Sequence, residues 1–348
     1  MGNSRPTMIS DIGEFGLIDR LTSKFSNKQG TTVTGVGDDA AVIDAGNDYI
    51  VITTDLLTEG IHFNLIYTPL KHLGYKAVAV NLSDVYAMNA VPRQITVSIA
   101  VSGKFSLEAL EQLYSGIHSA CEKFNVDLVG GDTSSSMTGM TISITAIGRV
   151  NKEDVVYRKG ARVNDLICVS GDLGAAYLGL QLLEREKVLF EKDPSFQPDF
   201  TGMEYLLERQ LKPEPCSEII TLLRENGIKP TSMIDISDGL SSEILHICKN
   251  SEVGCRLYQD KIPISEVASR VAVDFNMEPL ICALHGGEDY ELLFTVPLSD
   301  YQKLSQLKGI HIIGNITAKD EKAMMVTKDG GLVEIIAEGW DGIKQGNN

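Results

Sequence analysis

G-V-G-D-D-A-A-V-I-D-A-G-N-D-Y-I-V-I-T-T-D-L-L-T-E-G-I-H-F, residues 35–63, is where the reading of this chain turns. It opens on a glycine-flanked turn that carries two adjacent carboxylates, Asp38 and Asp39. Tyr49 to Thr54 follows as a β-branched, apolar run, which predicts a buried strand ending at Asp55. An acid at the end of a buried strand sits at the sheet edge where ligands gather.

The same arrangement recurs further along. Val126 to Val129 is short and strand-like, and Gly130-Gly131-Asp132 follows it. Ile234 to Leu240 (IDISDGL) reads as a strand end entering a helix over Ser241 to Lys249. Gly286-Gly287-Glu288-Asp289-Tyr290 precedes a strand over Glu291 to Val296. A single aspartate of this kind is more often a turn or helix-capping residue. Several together form a set that repels itself unless cations fill it. Hard oxygen ligands suit Mg²⁺, which takes few carboxylates and keeps water and phosphate as its other partners. Asp84 belongs to a different context, the apolar helical stretch A-V-A-V-N-L-S-D-V-Y-A-M. Two readings of it stand level: a buried acid that needs a partner or metal, or an exposed stripe shared with Asn81 and Ser83.

Around these motifs the chain alternates helices and strands. Ser10 to Phe25 has one broad apolar face, and Pro69 to Met88 reads as a long helix. Ile95 to Val101 is a strand, and Ser106 caps a helix over Leu107 to Phe124. Met140 to Val150 alternates Ile142, Ile144 and Ala146 against Thr and Ser. The polar segment Asn151 to Asp165 marks a boundary between residues 1–150 and 151–348. Beyond it come a strand over Leu166 to Ser170, a helix over Ala175 to Glu186, and an exposed loop over Lys187 to Gly202. Both halves mix strands and helices, the pattern of two α+β domains.

Composition narrows the classes. At 348 residues, 43% hydrophobic and 22% charged, the chain is globular with room for two domains. A formal charge of −16 argues against nucleic acid and against an anionic membrane surface. Six cysteines without a C-x-x-C pair fit reduced thiols in a cytoplasmic protein. No P-loop, dinucleotide fingerprint, protein-kinase H-R-D, G-x-S-x-G elbow or H-E-x-x-H is present.

G-V-G-D-D-A-A-V (35–42), I-T-T-D-L-L-T-E-G-I-H-F (52–63), A-V-N-L-S-D (79–84), G-G-D-T (130–133), I-D-I-S-D-G-L (234–240) and G-G-E-D-Y-E-L (286–292) occur in that order. Together they resemble the thiamine-monophosphate kinase family, within the superfamily of aminoimidazole ribonucleotide synthetase, selenophosphate synthetase and a hydrogenase maturation protein. The resemblance runs from about Asp11 to Trp340. It implies an α/β fold of two domains, the N-terminal sheet pairing with that of a second subunit in a homodimer barrel. ATP would lie in the cleft between the domains. The implied reaction, part of thiamine diphosphate biosynthesis, is transfer of a phosphoryl group from ATP to thiamine monophosphate.

The resemblance also implies roles. Several Mg²⁺ ions would be held by Asp38, Thr53, Thr54, Asp55, Asp84, Asp132, Asp235 and Asp238. ATP would touch Gly131, Asp132, Arg158 and Ser237, and the thiamine end His62, Glu288 and Trp340. No side-chain nucleophile is implied. Asp39 is left with a loop-holding role, and Asn89 stands where the family usually has glycine. Two sibling activities fit poorly. The hydrogenase maturation protein would need a C-terminal cysteine, and selenophosphate synthetase a reactive residue before Cys121. The purine enzyme is not separated by motifs alone. A non-catalytic relative would be expected to lose some of these aspartates.

Overall fold

The computed structural model describes residues 12–337. After α1 (Gly13–Thr22) come β1 (Thr32–Thr34), β2 (Ala41–Asp44) and β3 (Asp48–Thr58). Next are α2 (Leu70–Ala87), β4 (Val91–Val101), α3 (Leu107–Phe124), β5 (Asp127–Ser135) and β6 (Thr141–Asn151). These six strands form one sheet, ordered β1-β2-β3-β6-β4-β5. Only the β4–β5 pair is parallel, as the α3 crossover between them requires.

A second sheet follows. Its elements begin with β7 (Leu166–Ser170), α4 (Ala175–Lys192), α5 (Glu204–Leu211), α6 (Ser217–Glu225) and β8 (Ser232–Asp235). They continue with α7 (Leu240–Ser251), β9 (Gly254–Tyr258), α8 (Glu266–Asp274), α9 (Pro279–His285) and β10 (Leu292–Val296). Last come α10 (Tyr301–Leu304), β11 (Ile310–Thr317), β12 (Ala323–Val326) and β13 (Leu332–Glu334). The strand order is β13-β12-β9-β11-β7-β10-β8. One apolar core joins the halves, running from Val51, Leu82 and Ile144 to Met233, Phe294 and Val296.

In the first sheet, alternation divides the faces. Val51, Leu57, Ile95, Val97, Ile142 and Ile144 are buried under the helices. The Thr, Ser and Ile residues between them form the other, more open face. Helix α2 lies against the buried face, and α3 packs on α2 at very close range. A Cβ on Gly74 would sit 2.0 Å from the Leu113 carbonyl oxygen, and one on Gly116 1.9 Å from that of Lys71. Only glycine lets the two backbones meet there.

Several expectations hold at the level of single residues. Ser106 accepts the Ala109 N–H at 3.2 Å and caps α3. Asn89 adopts φ +54°, the left-handed geometry that glycine would supply at no cost. Its side chain adds what glycine could not, donating to the Asp154 carbonyl at 2.7 Å and accepting from Arg224 Nε at 3.2 Å.

Others need correction. Strand β3 does not stop at Asp55, because its pairing with β6 continues to Thr58 opposite Thr141. The G-G-D-T segment lies inside β5 rather than after a strand. Helix α4 runs on to Lys192, through what reads as the start of a loop. The stretch 187–192 contains no breaker, and the helix ends at Asp193, which precedes Pro194. The exposed-stripe reading of Asp84 also fails, since Asn81 and Ser83 are both fully buried.

Candidate active site

Three elements distant in sequence bring carboxylates together. Asp39 comes from the turn before β2, Asp84 from the last turn of α2, and Asp235 from the end of β8. One oxygen from each lies within 4.8 Å of the others. Thr53 on β3 donates to Asp84 Oδ2 at 2.6 Å and so orients it. Arg158 donates through Nε and Nη2 to Asp39 Oδ1, at 3.0 and 2.6 Å. Asp39 Oδ2 is buried with no hydrogen-bond partner. Asp38 accepts the backbone N–H groups of Arg158 and Asp39, both at 3.1 Å. The Asn81 side chain accepts the Asp55 backbone N–H at 2.9 Å and ties β3 to α2.

These acids resist ionising together. Burial, and then the charge of Asp39, pushes both Asp38 and Asp235 up to about 7. Burial, and then Glu14 of α1, pushes Asp55 up to about 6. Asp84 lies well above the carboxylate range because it is buried and faces Asp55, Asp235 and Asp39. Arg158 is the fixed cation beside them. A hard divalent cation fits the remaining demand: an all-oxygen donor set, an orphaned buried oxygen, and charges that repel without one.

The loop after β8 is held from behind. Glu243, in the first turn of α7, accepts the backbone N–H groups of Ser237 at 3.1 Å and Asp238 at 2.8 Å. Burial, and then Asp238, raises Glu243 to about 8.

A second group of side chains includes His62 and Glu288. His62 Nδ1 accepts the Thr58 backbone N–H at 3.0 Å, which leaves the ring proton on Nε2. Burial lowers the His62 pKa, with the Glu288 charge opposing, so His62 and Glu288 share one environment. Glu288 does not stand as an unpaired anion: Lys76 Nζ meets its Oε1 at 2.9 Å. Tyr290 follows on the same loop, and its backbone N–H donates to the Ile236 carbonyl at 2.8 Å. Its phenol is raised far above the ordinary range by burial, then by Glu288, Asp55, Asp235 and Asp238.

The sequence-derived residues therefore fall into groups. Asp38, Thr53, Asp55, Asp84, Asp235 and Arg158 converge; Ser237 and Asp238 lie on the adjoining loop; His62 and Glu288 sit together. Thr54 points to the opposite face of the sheet, where it donates to the Ile144 carbonyl at 3.1 Å and accepts from Thr145 at 3.2 Å. Gly131 and Asp132 lie on β5, exposed along its whole length. Asp132 pairs with Ser98, Ser98 with Ser143 and Ser143 with Leu56, so Asp132 shares the open face and stands three strands from Asp55. That is roughly 14 Å at normal strand spacing. Trp340 lies outside the described residues.

Sequence reading missed Asp39 as a member of the acid group, and missed Asn81, Glu243, Lys76, Gln210 and Tyr290. Two of these had a usable signal. Asp39 adjoins Asp38, and Asn81 precedes Asp84 by three residues, on the same side of one helix.

Comparison with known proteins places the chain in a family. Residues 37–150 match the family described as AIR synthase related protein, N-terminal domain. The thiamine-monophosphate kinase of Bacillus subtilis is 30% identical over 339 residues, covering 96% of this chain and 100% of the relative. That of Buchnera aphidicola subsp. Schizaphis graminum is 37% identical over 298 residues, covering 85% and 86%. A solved structure of AaThiL complexed with AMPPCP and TMP superposes with a TM-score of 0.83 at 30% identity, covering 97% of this chain and 99% of that one. The chain belongs to the thiamine-monophosphate kinase family.

Proposed function

We propose that this protein transfers the γ-phosphoryl group of ATP to thiamine monophosphate, giving ADP and thiamine diphosphate. The observation that carries the reading is the meeting of Asp39, Asp84 and Asp235 from three separate elements. The solved relative holding AMPPCP and TMP supports the same pair of substrates.

The nucleophile is a phosphate oxygen of the substrate. Its second pKa is about 6, so it is ionised near neutral pH without a protein base. The obstacle is bringing one anion onto another. Two unit charges 4 Å apart repel by about 4 kcal/mol at an effective dielectric of about 20. Mg²⁺ ions, when bound, would offset that repulsion and stabilise the leaving oxygen. Asp38, Asp39, Asp55, Asp84, Asp235 and Asp238 would hold them; oxygens of Asp39, Asp84 and Asp235 lie within 4.8 Å of one another, and Thr53 donates to Asp84. Arg158 contributes a charge that does not titrate. Ser237 is assigned to ATP, and His62, Glu288 and Trp340 to the thiamine end. Transfer is direct, with no phospho-enzyme.

Asp132, Gly131 and Thr54 enter through a second copy. Their positions on the open face and on the exposed strand β5 favour a homodimer in which the two six-stranded sheets face one another. Residues 1–150 then supply dimer contacts and most acids, and residues 151–348 complete the cleft. Six unbridged cysteines accord with a reducing, cytoplasmic setting.

The test is product formation by the purified protein with ATP and Mg²⁺, offered thiamine monophosphate, thiamine or an aminoimidazole-pathway substrate. Thiamine diphosphate from the monophosphate, lost with EDTA, is the expected result. Turnover of the purine-pathway substrate alone would overturn the assignment, and a kinetically competent phospho-protein would overturn direct transfer.

A further inference from the structure

We infer that Gln210 and Lys76 are positioning residues that aim the Glu288 carboxylate into the cleft and thereby set the affinity for thiamine monophosphate; this rests on the substrate role proposed for Glu288. The two oxygens of Glu288 are held from different elements. Lys76, on α2, meets Oε1 at 2.9 Å, and Gln210, on α5, donates through Nε2 to Oε2 at 2.7 Å. Lys76 Nζ also donates to the Gln210 carbonyl at 3.1 Å and closes the triangle.

Burial decides which member of the triangle can meet a ligand. The Lys76 side chain is 3% exposed and that of Glu288 26%, while Gln210 is buried. Only Glu288 offers open surface. A carboxylate has about four acceptor positions, and the two donors occupy one on each oxygen. The remaining positions are directed by the donors, because a carboxylate gripped at both oxygens cannot rotate freely.

The backbone beneath needs such support. Glu288 and Tyr290 have φ +58° and +52°, a region uncommon for residues other than glycine. Their N–H groups donate to Ser237 and Ile236 carbonyls at 2.7 and 2.8 Å, which binds the loop to the strand end carrying Asp235. Arg209, the neighbour of Gln210, donates to the Asp289 carbonyl at 3.0 Å and to Glu291 Oε1 at 2.7 Å. Helix α5 therefore grips Glu288, Asp289 and Glu291 through two consecutive side chains. These contacts through Arg209 and Gln210 fall on the loop that carries Glu288, so the effect of α5 is expected at the thiamine end.

The experiment is a double-mutant cycle read by calorimetry, with a crystal structure of one variant. Gln210→Ala is expected to weaken thiamine monophosphate binding about tenfold, as loss of one hydrogen bond to a charged group does. Affinity for a non-hydrolysable ATP analogue should stay within about twofold. Lys76→Met should act in the same direction and Lys76→Arg recover part of the loss. Combined with Glu288→Gln, Gln210→Ala should add nothing further, because it acts through Glu288. Additive losses, or equal weakening of the nucleotide, would overturn the inference. So would a Gln210→Ala crystal structure with Glu288 unmoved. Wild-type protein that binds no thiamine monophosphate would overturn the proposed function instead, and the crystal structure would still decide the positioning.

Discussion

Arg158 reaches from the segment between the two sheets to Asp39 and places both Nε and Nη2 on the same carboxylate oxygen, at 3.0 and 2.6 Å. The second oxygen is left buried and unpartnered, and an oxygen of Asp39 lies within 4.8 Å of oxygens of Asp84 and Asp235. A pair satisfied on one side only gives the turn a defined direction and leaves one ligand position open. The arginine is thus a structural clamp as well as the site's permanent cation.

Removing a carboxylate should separate stability from activity. Without metal, Asp84 is repelled by Asp55, Asp235 and Asp39, so Asp84→Asn should raise Tm measured in EDTA. The same variant should require at least about tenfold more Mg²⁺ for half-maximal activity. Wild-type Tm should rise on adding Mg²⁺ and the variant's should rise less. A wild type indifferent to EDTA in both assays would remove the metal site.

Asp132 predicts complementation between subunits. Assayed at a Mg²⁺ concentration that just saturates the wild type, Asp132→Asn and Asp84→Asn should each lose most activity alone. Mixed after joint refolding or coexpression, they should recover up to about a quarter of wild-type turnover, because half of random dimers carry one site without either lesion. No recovery from a verified mixed dimer would place Asp132 in its own subunit's site or in none. Sedimentation should give twice the 37.9 kDa chain mass.

The α2–α3 crossing predicts a packing defect with a catalytic consequence. Gly116→Ala puts a methyl group 1.9 Å from the Lys71 carbonyl oxygen, so the helices must separate. The cost should be about 1–3 kcal/mol or more by urea denaturation, with reduced turnover because α2 carries Asp84. Gly103 has open space at the same position, and Gly103→Ala should change stability by less than about 0.5 kcal/mol. Equal effects at the two glycines would contradict the close approach.

His246 predicts part of the acid sensitivity. Burial first, then Arg158 and Lys249, lower its pKa from 6.5 to about 4, against the opposing charge of Asp19; its ring also packs on Phe15. The unfolded chain takes up the proton below about 6.5 while the folded protein does not. Its contribution is therefore intact above that pH and lost as pH falls toward 4. His246→Gln should lose about 1 kcal/mol less than wild type between pH 7.5 and 5 in urea titrations. Parallel losses would show that the ring titrates normally.

Much of the fold was legible because it follows local rules. Ser106 caps its helix, the 142–146 alternation marks a buried face, and the I-D-I-S-D-G-L run marks where β8 gives way to α7. Errors gathered where pairing or distant contacts outweigh local pattern. β3 runs past Asp55 because β6 continues beside it. Asp84 looked level between two meanings because one helix can show a polar stripe or a buried polar face with the same spacing. The coverage of Asn81 and Ser83 by the sheet decides between them.

Residue type and short-range order were enough for the helices, most strands and the family resemblance. Folding alone settled that Asp39 joins Asp84 and Asp235 and that Lys76 and Gln210 hold Glu288. Each depends on which elements lie within a few ångströms after folding. Between residues 76, 210 and 288 no local periodicity connects the partners, and only packing of α2 and α5 around one loop brings them together.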